Sequence, residues 1–234
     1  MSENNRLEQT IRDRFGDLVQ ALTVALGETT LEVSRKKLQA VCLALRDEPV
    51  FAFELLLDVC VVDYQDYGIS EWQTECTTFT GFERGVDSSR QERSIAWSKP
   101  RFAAVYHLLS ITHNHRLRLR IFAEGEPPLL PSVNAIWPAA NWYEREAFDL
   151  YGVVFEGHPD LRRLLTDYGF VGHPFRKDFP LSGRVEVRYD AQEGRVIYQP
   201  VTISPRTLVA KTIRKVPSRL SAVISEKPTN ARDT

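Results

Sequence analysis

The chain has few cysteines, and they are not arranged as metal ligands. Its 234 residues include only Cys42, Cys60 and Cys76, an odd number without any C-x-x-C pair. A disulfide framework is therefore not expected. Neither is an iron–sulfur cluster held by this chain alone, which usually needs four thiolates at motif spacing. Cys42 and Cys60 stand in apolar runs and are predicted to be small buried hydrophobic side chains.

The sequence also lacks a long apolar run, a nucleotide-binding G-x-G-x-x-G fingerprint and an excess of one charge. No window approaches the roughly 18 consecutive apolar residues of a membrane-spanning helix. The polar start MSENNRLEQTIRDRFG has no apolar core of a secretory signal. The formal net charge of −1 argues against a nucleic-acid-binding protein, which usually has a basic field. These absences predict a cytoplasmic globular protein whose membrane association would come through partners.

Residues 1–125 are predicted to form an α+β domain with two layers. Apolar periodicity and turn residues predict the order α-β-β-α-β-β-β, a mixed sheet with helices on one side. The predicted elements span residues 7–15, 17–26, 29–33, 34–48, 50–62, 102–111 and 116–122. Ser34 is expected to cap the second helix. The nearly continuous apolar run 50–62 is typical of a strand covered on both faces.

A linker of about 35 residues separates the fifth and sixth of these elements and is rich in charge, serine and glycine. A loop of that length is unusual inside a compact domain, so we expect it to be mobile or held by something outside it. After it, the sixth and seventh elements flank the polar turn Thr112–His115. Leu117, Leu119 and Ile121 alternate there with arginines, which predicts a half-buried hairpin.

Residues 126–217 are predicted to form an extended, mostly irregular arm, followed by a tail at 218–234. Most of the 13 prolines lie in this second half of the chain, and continuous periodicity is scarce. Only two short helices, near 141–151 and 159–166, and one hairpin around the turn 190–194 are expected. The many aromatic side chains of the arm would be exposed if it stood alone. They are predicted to lie on the surface of another protein.

The most informative stretch begins at Asn141. This residue is placed to cap a helix in which Glu144 occupies position N3, close to a capping box. Arg145 and Asp149 have the i,i+4 spacing of an ion pair on that helix. Gly152 supplies the C-terminal stop. The segment therefore predicts a short amphipathic helix with an unusual number of charged residues.

From here the sequence resembles the 30 kDa-type subunit (the C subunit) of proton-translocating NADH–quinone oxidoreductase, respiratory complex I, in its unfused form. The spacing of Glu-Arg-Glu, Asp-Leu-Tyr, a histidine and an arginine matches the family motif without a mismatch. The continuation through TDYGF, GHPFRKDFPL and RVIYQPV is also similar, and the resemblance is close over residues 141–201. The positions taken as family signature and partner interface are Glu144, Arg145, Glu146, Asp149, Tyr151, His158, Arg162, Arg163, His173, Arg176, Lys177 and Asp178.

The resemblance implies a subunit without a flavin, cluster or quinone site of its own. In this family FMN and the iron–sulfur clusters lie in partner subunits. The complex passes electrons from NADH to quinone and couples this to proton translocation. The resemblance further implies that the chain packs on the quinone-cavity subunit (the D subunit), near cluster-bearing neighbours, on the cytoplasmic side of the bacterial inner membrane. It leaves open the equivalent subunit of a membrane-bound hydrogenase or a related quinone-reducing complex.

The acidic residues also permit a catalytic interpretation, that of a stand-alone enzyme using Glu144, Asp149 and His158. However, Glu144 and Glu146 lie about 200° apart around a helix, so they cannot converge on one substrate. Salt bridges are the favoured interpretation. His158 and His173 each stand in a Gly-His-Pro triplet, where an imidazole that bonds a backbone or carboxylate group is favoured over catalysis.

Two other groups of polar residues have open alternatives. His113 and His115 could bind a metal from one strand face, but a polar turn without a nearby carboxylate or cysteine favours solvated side chains. The segment 205–220 contains five lysines and arginines and no acidic residue. It could contact nucleic acid or lipid headgroups, whereas the family resemblance favours contact with an acidic protein surface.

Overall fold

The chain forms an α+β fold in which short helices pack on a five-stranded sheet. The computed structural model describes residues 3–69, 73–74, 86–87 and 97–203. The helices and strands are α1 Glu3–Phe15, β1 Val19–Ala25, β2 Glu28–Val33, α2 Leu38–Asp47, β3 Leu55–Asp63, β4 Gln73–Thr74, β5 Val86–Asp87, β6 Phe102–Ser110, β7 His115–Ala123, β8 Leu129–Pro131, α3 Ala140–Tyr151, β9 Val154–Glu156, β10 Val185–Asp190 and β11 Arg195–Pro200. All seven elements predicted for the N-terminal half are present in the predicted order, which confirms the fold class.

The sheet is mixed and has the strand order β1-β2-β7-β6-β3. Its two hairpins, β1–β2 and β6–β7, are antiparallel. They are joined by a parallel pairing of β2 with β7, in which Thr30 lies opposite Arg118. The alternation predicted for β7 is confirmed, because Leu117, Leu119 and Ile121 are buried in the core.

The hydrophobic core lies between the inward face of this sheet and the helices. The predicted apolar face of α2 is confirmed, because Leu38, Val41, Cys42 and Leu45 are all fully buried. They belong to one cluster with residues of α1 and of the strands. Burial of such a side chain contributes roughly 1.5–3 kcal/mol relative to leaving it in water.

Three local predictions in this half are wrong. The Ser34 side chain makes no capping hydrogen bond among the described residues. A short 3-10 turn, Arg35–Lys37, precedes α2 instead, with the Lys37 N–H bonded to the Ser34 carbonyl. The strand β3 is not covered on both faces, because it is an edge strand whose Leu55 and Leu57 are exposed. Cys60, on the same strand, is exposed rather than buried. Cys76 and most of the long linker lie outside the described residues.

The core continues into the first part of the segment predicted to be an arm. Eight side chains from β8 through β9 belong to the same buried cluster as the N-terminal half. They are Leu130, Val133, Ile136, Trp137, Ala140, Ala147, Val153 and Phe155. The Trp137 indole donates a hydrogen bond to the Phe53 carbonyl at 3.1 Å. From Gly157 to Ile203 no described side chain is buried. The predicted hairpin is confirmed there as β10 and β11.

The described residues divide into two compact units, one of residues 3–66 and 98–203 and the other of the described residues between 67 and 97. In the described part of the second unit, β4 and β5 pair as antiparallel strands, and the rings of Tyr67 and Trp97 lie 5.1 Å apart. None of the helices within the described ranges is long and apolar enough to cross a membrane.

Candidate functional site

The helix α3 buries three charged side chains of the family signature. Glu144 and Asp149 are fully buried, and Arg145 is 6% exposed. A buried charge is costly unless it is paired or hydrogen-bonded, so the partners of these three residues define the site. The predicted cap at Asn141 is wrong. The helix begins at Ala140, its first turn has no side-chain cap, and Glu144 points into the core rather than back along the helix.

The Asp149 carboxylate is bound by residues 163–166 of the loop that follows β9, and we call these residues the Asp149 cradle. One carboxylate oxygen accepts the backbone N–H groups of Leu164, Leu165 and Thr166 at 3.0, 2.7 and 2.9 Å. The other accepts Arg163 Nη1 at 2.9 Å and the Thr166 hydroxyl. The helix predicted at 159–166 is therefore absent, since these N–H groups bond a side chain instead of carbonyls one turn earlier.

The cradle also determines the charge state of Asp149. Burial would raise the pKa of this carboxyl, but the hydrogen bonds from the Thr166 hydroxyl and from the three backbone N–H groups outweigh it. The pKa of Asp149 is thereby held well below its ordinary value. The lowered pKa favours the ionised form of Asp149, which makes it a weak general base.

Arg145 does not pair with Asp149, contrary to the i,i+4 prediction. Its Nε and Nη2 atoms donate to the carbonyl oxygens of Arg162 and Arg163, each at 3.3 Å. Its guanidinium also lies 5.9 Å from the Trp142 ring centroid, within cation–π range. Arg145 therefore binds the carbonyls of the same loop whose N–H groups bind Asp149. Arg145 thus binds carbonyl groups of residues 162–163, and Asp149 binds the N–H groups of residues 164–166.

Glu144 lies on the other side of α3, where it fixes the segment before the helix. Its carboxylate accepts the Ser132 hydroxyl at 2.6 Å and the Val133 N–H at 2.8 Å. Burial raises the pKa of Glu144 to about 7, an effect that these two hydrogen bonds only partly offset. The buried Tyr106 hydroxyl lies nearby and has no hydrogen-bond partner among the described residues. Glu144 is therefore a core residue and not a surface salt bridge.

Residues 173–176 satisfy the carbonyl groups at the end of α3, which would otherwise lack partners. His173 Nδ1 lies 2.9 Å from the Asp149 carbonyl oxygen. The Phe175 N–H donates to the Leu150 carbonyl at 3.1 Å, and Arg176 Nε donates to the Tyr151 carbonyl at 2.6 Å. Burial lowers the pKa of His173, which favours its neutral form. The imidazole of His173 thus contacts a backbone carbonyl, as the favoured interpretation expected.

His158 likewise contacts backbone groups. Its Nε2 lies 3.1 Å from the Asn141 carbonyl, and its Nδ1 accepts the Asp160 N–H at 3.1 Å. Arg162 pairs with Asp160 on the exposed surface at 2.8 Å. His158 therefore connects this loop to the first turn of α3 through backbone groups.

A buried ion pair that the sequence analysis missed connects the remaining signature residues to the sheet. Asp63, at the end of β3, has a fully buried side chain that accepts Arg101 Nε at 2.8 Å and Nη2 at 2.6 Å. It also accepts the Lys177 N–H at 2.9 Å, and Arg101 reaches Asp178 at 2.9 Å. Burial opposes ionisation of Asp63, but these bonds lower its pKa below the ordinary value. Its partner Arg101 is 38 residues away in sequence, so no local pattern could reveal the pair.

The structure therefore brings most of the predicted signature residues together through contacts between α3, the segment after β9 and the end of β3. Tyr151 packs edge-on against Phe175, with ring centroids 5.8 Å apart, and Glu146 is half-buried. Among the described residues, no three His, Cys, Asp or Glu side chains are grouped as metal ligands. The His113 ring stacks on His115, and its Nε2 lies 2.8 Å from the Pro49 carbonyl.

Gly152 is packed so closely by neighbouring side chains that there is no space for a side chain of its own. It ends α3 in the left-handed conformation with φ of +73°, which confirms the predicted stop. A Cβ atom there would lie 2.5 Å from both Arg176 Nη2 and His173 Nε2.

We expect Gly152→Ala to lower the free energy of unfolding by about 2 kcal/mol, because backbone strain of roughly 1–2 kcal/mol adds to displacement of both side chains. Urea unfolding measures this loss. Gly157→Ala also has positive φ but meets open space, so an equal loss there would show that contact is irrelevant.

Comparison with known proteins places these residues in a family. The sequence profile described as respiratory-chain NADH dehydrogenase, 30 Kd subunit, matches residues 31–185. The C subunit of NADH-quinone oxidoreductase from Coxiella burnetii is 62% identical over 214 residues, which cover 92% of this chain and 94% of that relative. Its counterpart in Legionella pneumophila is 54% identical over 215 residues with the same coverage.

The fold is also found in a solved structure of a different enzyme. A chain of the membrane-bound sulfane sulfur reductase, an archaeal respiratory membrane complex, matches with a TM-score of 0.54 at 19% identity. The match covers 77% of this chain and 87% of that chain. At this identity the likeness shows a shared fold and carries no information about activity.

Proposed function

The chain belongs to the 30 kDa subunit family of respiratory-chain NADH dehydrogenase, and we propose that within NADH–quinone oxidoreductase it is a structural and assembly subunit. In this proposal it contains no flavin or iron–sulfur cluster and supports electron transfer that occurs in other subunits. The observation that carries the proposal is the set of bonds around α3. Each buried charged side chain of the signature on this helix binds backbone groups of the chain's own loops, which is what a scaffold requires.

An exposed apolar face on the β10–β11 hairpin supports docking on a partner. Cross-strand pairing places six side chains on one face of this ribbon, and five of them are more than half exposed: Val185, Val187, Tyr189, Val196 and Tyr198, with exposed Pro200 as the sixth. A two-stranded hairpin is marginally stable alone, and such a contiguous apolar surface marks a protein interaction site.

The loop between β9 and β10 exposes a second set of apolar side chains. Leu165, Tyr168, Val171, Phe175 and Leu181 are each more than half exposed. The same loop is anchored to α3 through the Asp149 cradle. A backbone anchored by hydrogen bonds with apolar side chains exposed is the arrangement expected of a preorganised protein interface.

We further propose that the partner of these surfaces is the quinone-cavity subunit, with cluster-bearing subunits nearby. This would locate the chain on the cytoplasmic side of the bacterial inner membrane without a membrane span of its own. The equivalent subunit of a membrane-bound hydrogenase or related quinone-reducing complex is the alternative. Identities of 62% and 54% to relatives named as subunits of NADH–quinone oxidoreductase favour the first assignment.

The hairpin provides the test. We expect Val187→Ser with Tyr198→Ser to reduce the amount of assembled complex at least fivefold, while the thermal midpoint of the free chain stays unchanged because both side chains are already exposed. Native gels quantify the complex, and NADH–quinone activity per assembled complex is expected to be normal. An absorption spectrum of the purified chain checks the cofactor-free part of the proposal.

The matched control is Arg188→Ser with Arg195→Ser, on the opposite face of the same strands. Equal loss of assembly in both double variants would show that the apolar face is not the contact. Normal assembly with a collapse in activity per complex would instead place the hairpin in the chemistry and overturn the scaffold assignment.

A further inference from the structure

The strand β1 forms one edge of the five-stranded sheet and is not protected against pairing with a further strand. It pairs with β2 on one side, and on its other side the backbone of Ala21–Ala25 makes no hydrogen bond with a described residue. Its sequence VQALTVA contains no charged residue and no proline, and its register irregularity lies at its start, between Val19 and Ala21. Proteins usually protect exposed edges with charge, proline, a bulge or a covering element. The regular part of β1 is therefore open to another strand.

The opposite edge of the sheet, β3, is protected in several of these ways. It carries the acidic residues Asp58 and Asp63, and its register is irregular in its first half, between Leu56 and Asp58. The helix α3 contacts it, and the Tyr143 hydroxyl binds the Leu57 carbonyl. The sheet thus has one protected edge and one unprotected edge.

The turn between β1 and β2 determines which backbone groups of β1 point outward. The two-residue turn Leu26–Gly27 has φ of +54° and +78°, the type I′ geometry, in which the flanking pair of residues is hydrogen-bonded. Hydrogen-bonded and non-hydrogen-bonded pairs alternate along an antiparallel ladder. Thr23 therefore bonds β2, whereas the N–H and C=O groups of Leu22 and Val24 point away from it. These groups are spaced to bind an antiparallel strand.

We propose that β1 pairs with β1 of a second copy of this chain, antiparallel and about a two-fold axis at Thr23. Leu22 then lies opposite Val24 of the copy, and the outward N–H and C=O groups of both residues are hydrogen-bonded in each protomer. Thr23 lies opposite its own counterpart, and Ala21 lies opposite Ala25. A two-fold contact of this kind uses the same surface on both protomers, so the strand must be complementary to itself.

The side chains of β1 meet that requirement. Leu22 is half-buried against the hydrophobic core, and on the same face of the sheet it would contact the exposed Val24 of the copy. On the other face threonine meets threonine and alanine meets alanine. Apolar and Thr–Thr cross-strand pairs are favourable, whereas like charges directly opposite each other are not, and β1 has none.

A second copy also accounts for both edges of the sheet. The sheet that continues across the two protomers would end on β3 at each side, which is the protected edge. Pairing therefore stops at two copies, and no unprotected edge remains to aggregate. This pairing concerns the chain outside the complex and is independent of the proposed function.

Sedimentation velocity of the purified chain over a series of concentrations tests the pairing. We expect a monomer–dimer equilibrium that depends on concentration, because few residues make the contact. Thr23→Lys places two ammonium groups on the axis and should weaken dimerisation at least tenfold. The Thr23 side chain is exposed, so the thermal midpoint should not change. Gln9→Lys, at an exposed position of α1, is the control and should dimerise like the wild type.

A disulfide tests the register. In a chain with Cys60→Ser and Cys76→Ser, Thr23→Cys should form a covalent dimer under mild oxidation. Residues in a non-hydrogen-bonded pair have Cα atoms about 4.5 Å apart, within the range of about 4.4–6.8 Å that a disulfide spans. Ala25→Cys is the matched control on the same face of β1. It lies opposite Ala21 of the copy and should not form the covalent dimer.

Three results would overturn the pairing. The first is a wild-type chain that remains monomeric at the highest concentration, and the second is equal cross-linking by both cysteine variants. The third is a dimer that survives Thr23→Lys but is lost in Val187→Ser with Tyr198→Ser, which would assign the contact to the β10–β11 hairpin. Each is measured on the free chain, whereas failure of the proposed function would appear as absence of the chain from the assembled complex.

Discussion

Replacing Asp149 by alanine is expected to lower the free energy of unfolding by roughly 3–5 kcal/mol, the cost of breaking a buried charged network. The substitution would leave three backbone N–H groups and Arg163 without their acceptor. A domain is typically stable by only about 5–15 kcal/mol, so the variant chain should be close to its unfolding threshold. Urea unfolding of the purified chain at neutral pH measures the effect.

The matched control is Asp160→Ala, which removes an exposed carboxylate of the same loop and should change stability little. The sign of the pH dependence provides a second check. Because the pKa of Asp149 is lowered on folding, its stabilising contribution is present above the ordinary carboxyl pKa and is lost as pH falls through the folded value. The wild-type chain should therefore lose this contribution in acid, and Asp149→Ala should not. Equal acid sensitivity in the two chains would contradict the cradle as a source of stability.

Glu144→Gln is expected to make the chain more stable than wild type at pH 8, by about 3 kcal/mol. Folding raises the pKa of Glu144 from 4.5 to about 7, so its neutral form is favoured in the core. The corresponding stability is present below pH 4.5 and is lost as pH rises through 7. Glutamine is uncharged and of similar shape. Its amide oxygen can accept the Val133 N–H, and its amide group can donate to Ser132.

The measurement is the difference in unfolding free energy between wild type and Glu144→Gln at pH 5 and at pH 8. The difference should be small at pH 5 and grow as pH rises. A difference independent of pH would show that Glu144 ionises freely in the folded chain. Glu146→Gln, on the half-buried side of the same helix, is the control and should leave the pH dependence of the wild type unchanged.

The parts of the fold that follow from local patterns were predicted correctly. Strict alternation indicated β7, glycine indicated the end of α3, and apolar periodicity indicated the buried face of α2. The error at β3 arose because an apolar run does not reveal whether a strand is central or at the edge. Here part of that run remains exposed beside α3, whose Tyr143 hydroxyl donates to the Leu57 carbonyl at 2.8 Å.

The helix that carries the signature residues was predicted, but the contacts that these residues make were not. Periodicity correctly placed Glu144, Arg145 and Asp149 on one short helix, yet it paired the last two with each other. The actual partners are backbone groups 11 to 18 positions away, and backbone groups leave no trace in residue identity. Thr166 and Ser132 had no distinguishing signal, since a hydroxyl beside a turn is common. Asp63 and Arg101 were missed because their contact spans the long linker.

The parallel pairing of β2 with β7 has a consequence for how the chain folds. Thr30 and the side chain of Arg118 that reaches it are separated by 88 positions, whereas each flanking hairpin closes locally. Bringing such distant segments together costs about 4 kcal/mol of loop-closure entropy, so the two hairpins should form first and their association should limit the folding rate. This cost grows only with the logarithm of loop length, and doubling the connection adds about 0.6 kcal/mol. Insertions between β3 and β6 should therefore be tolerated, whereas substitutions in the short β2–β7 pairing should slow folding.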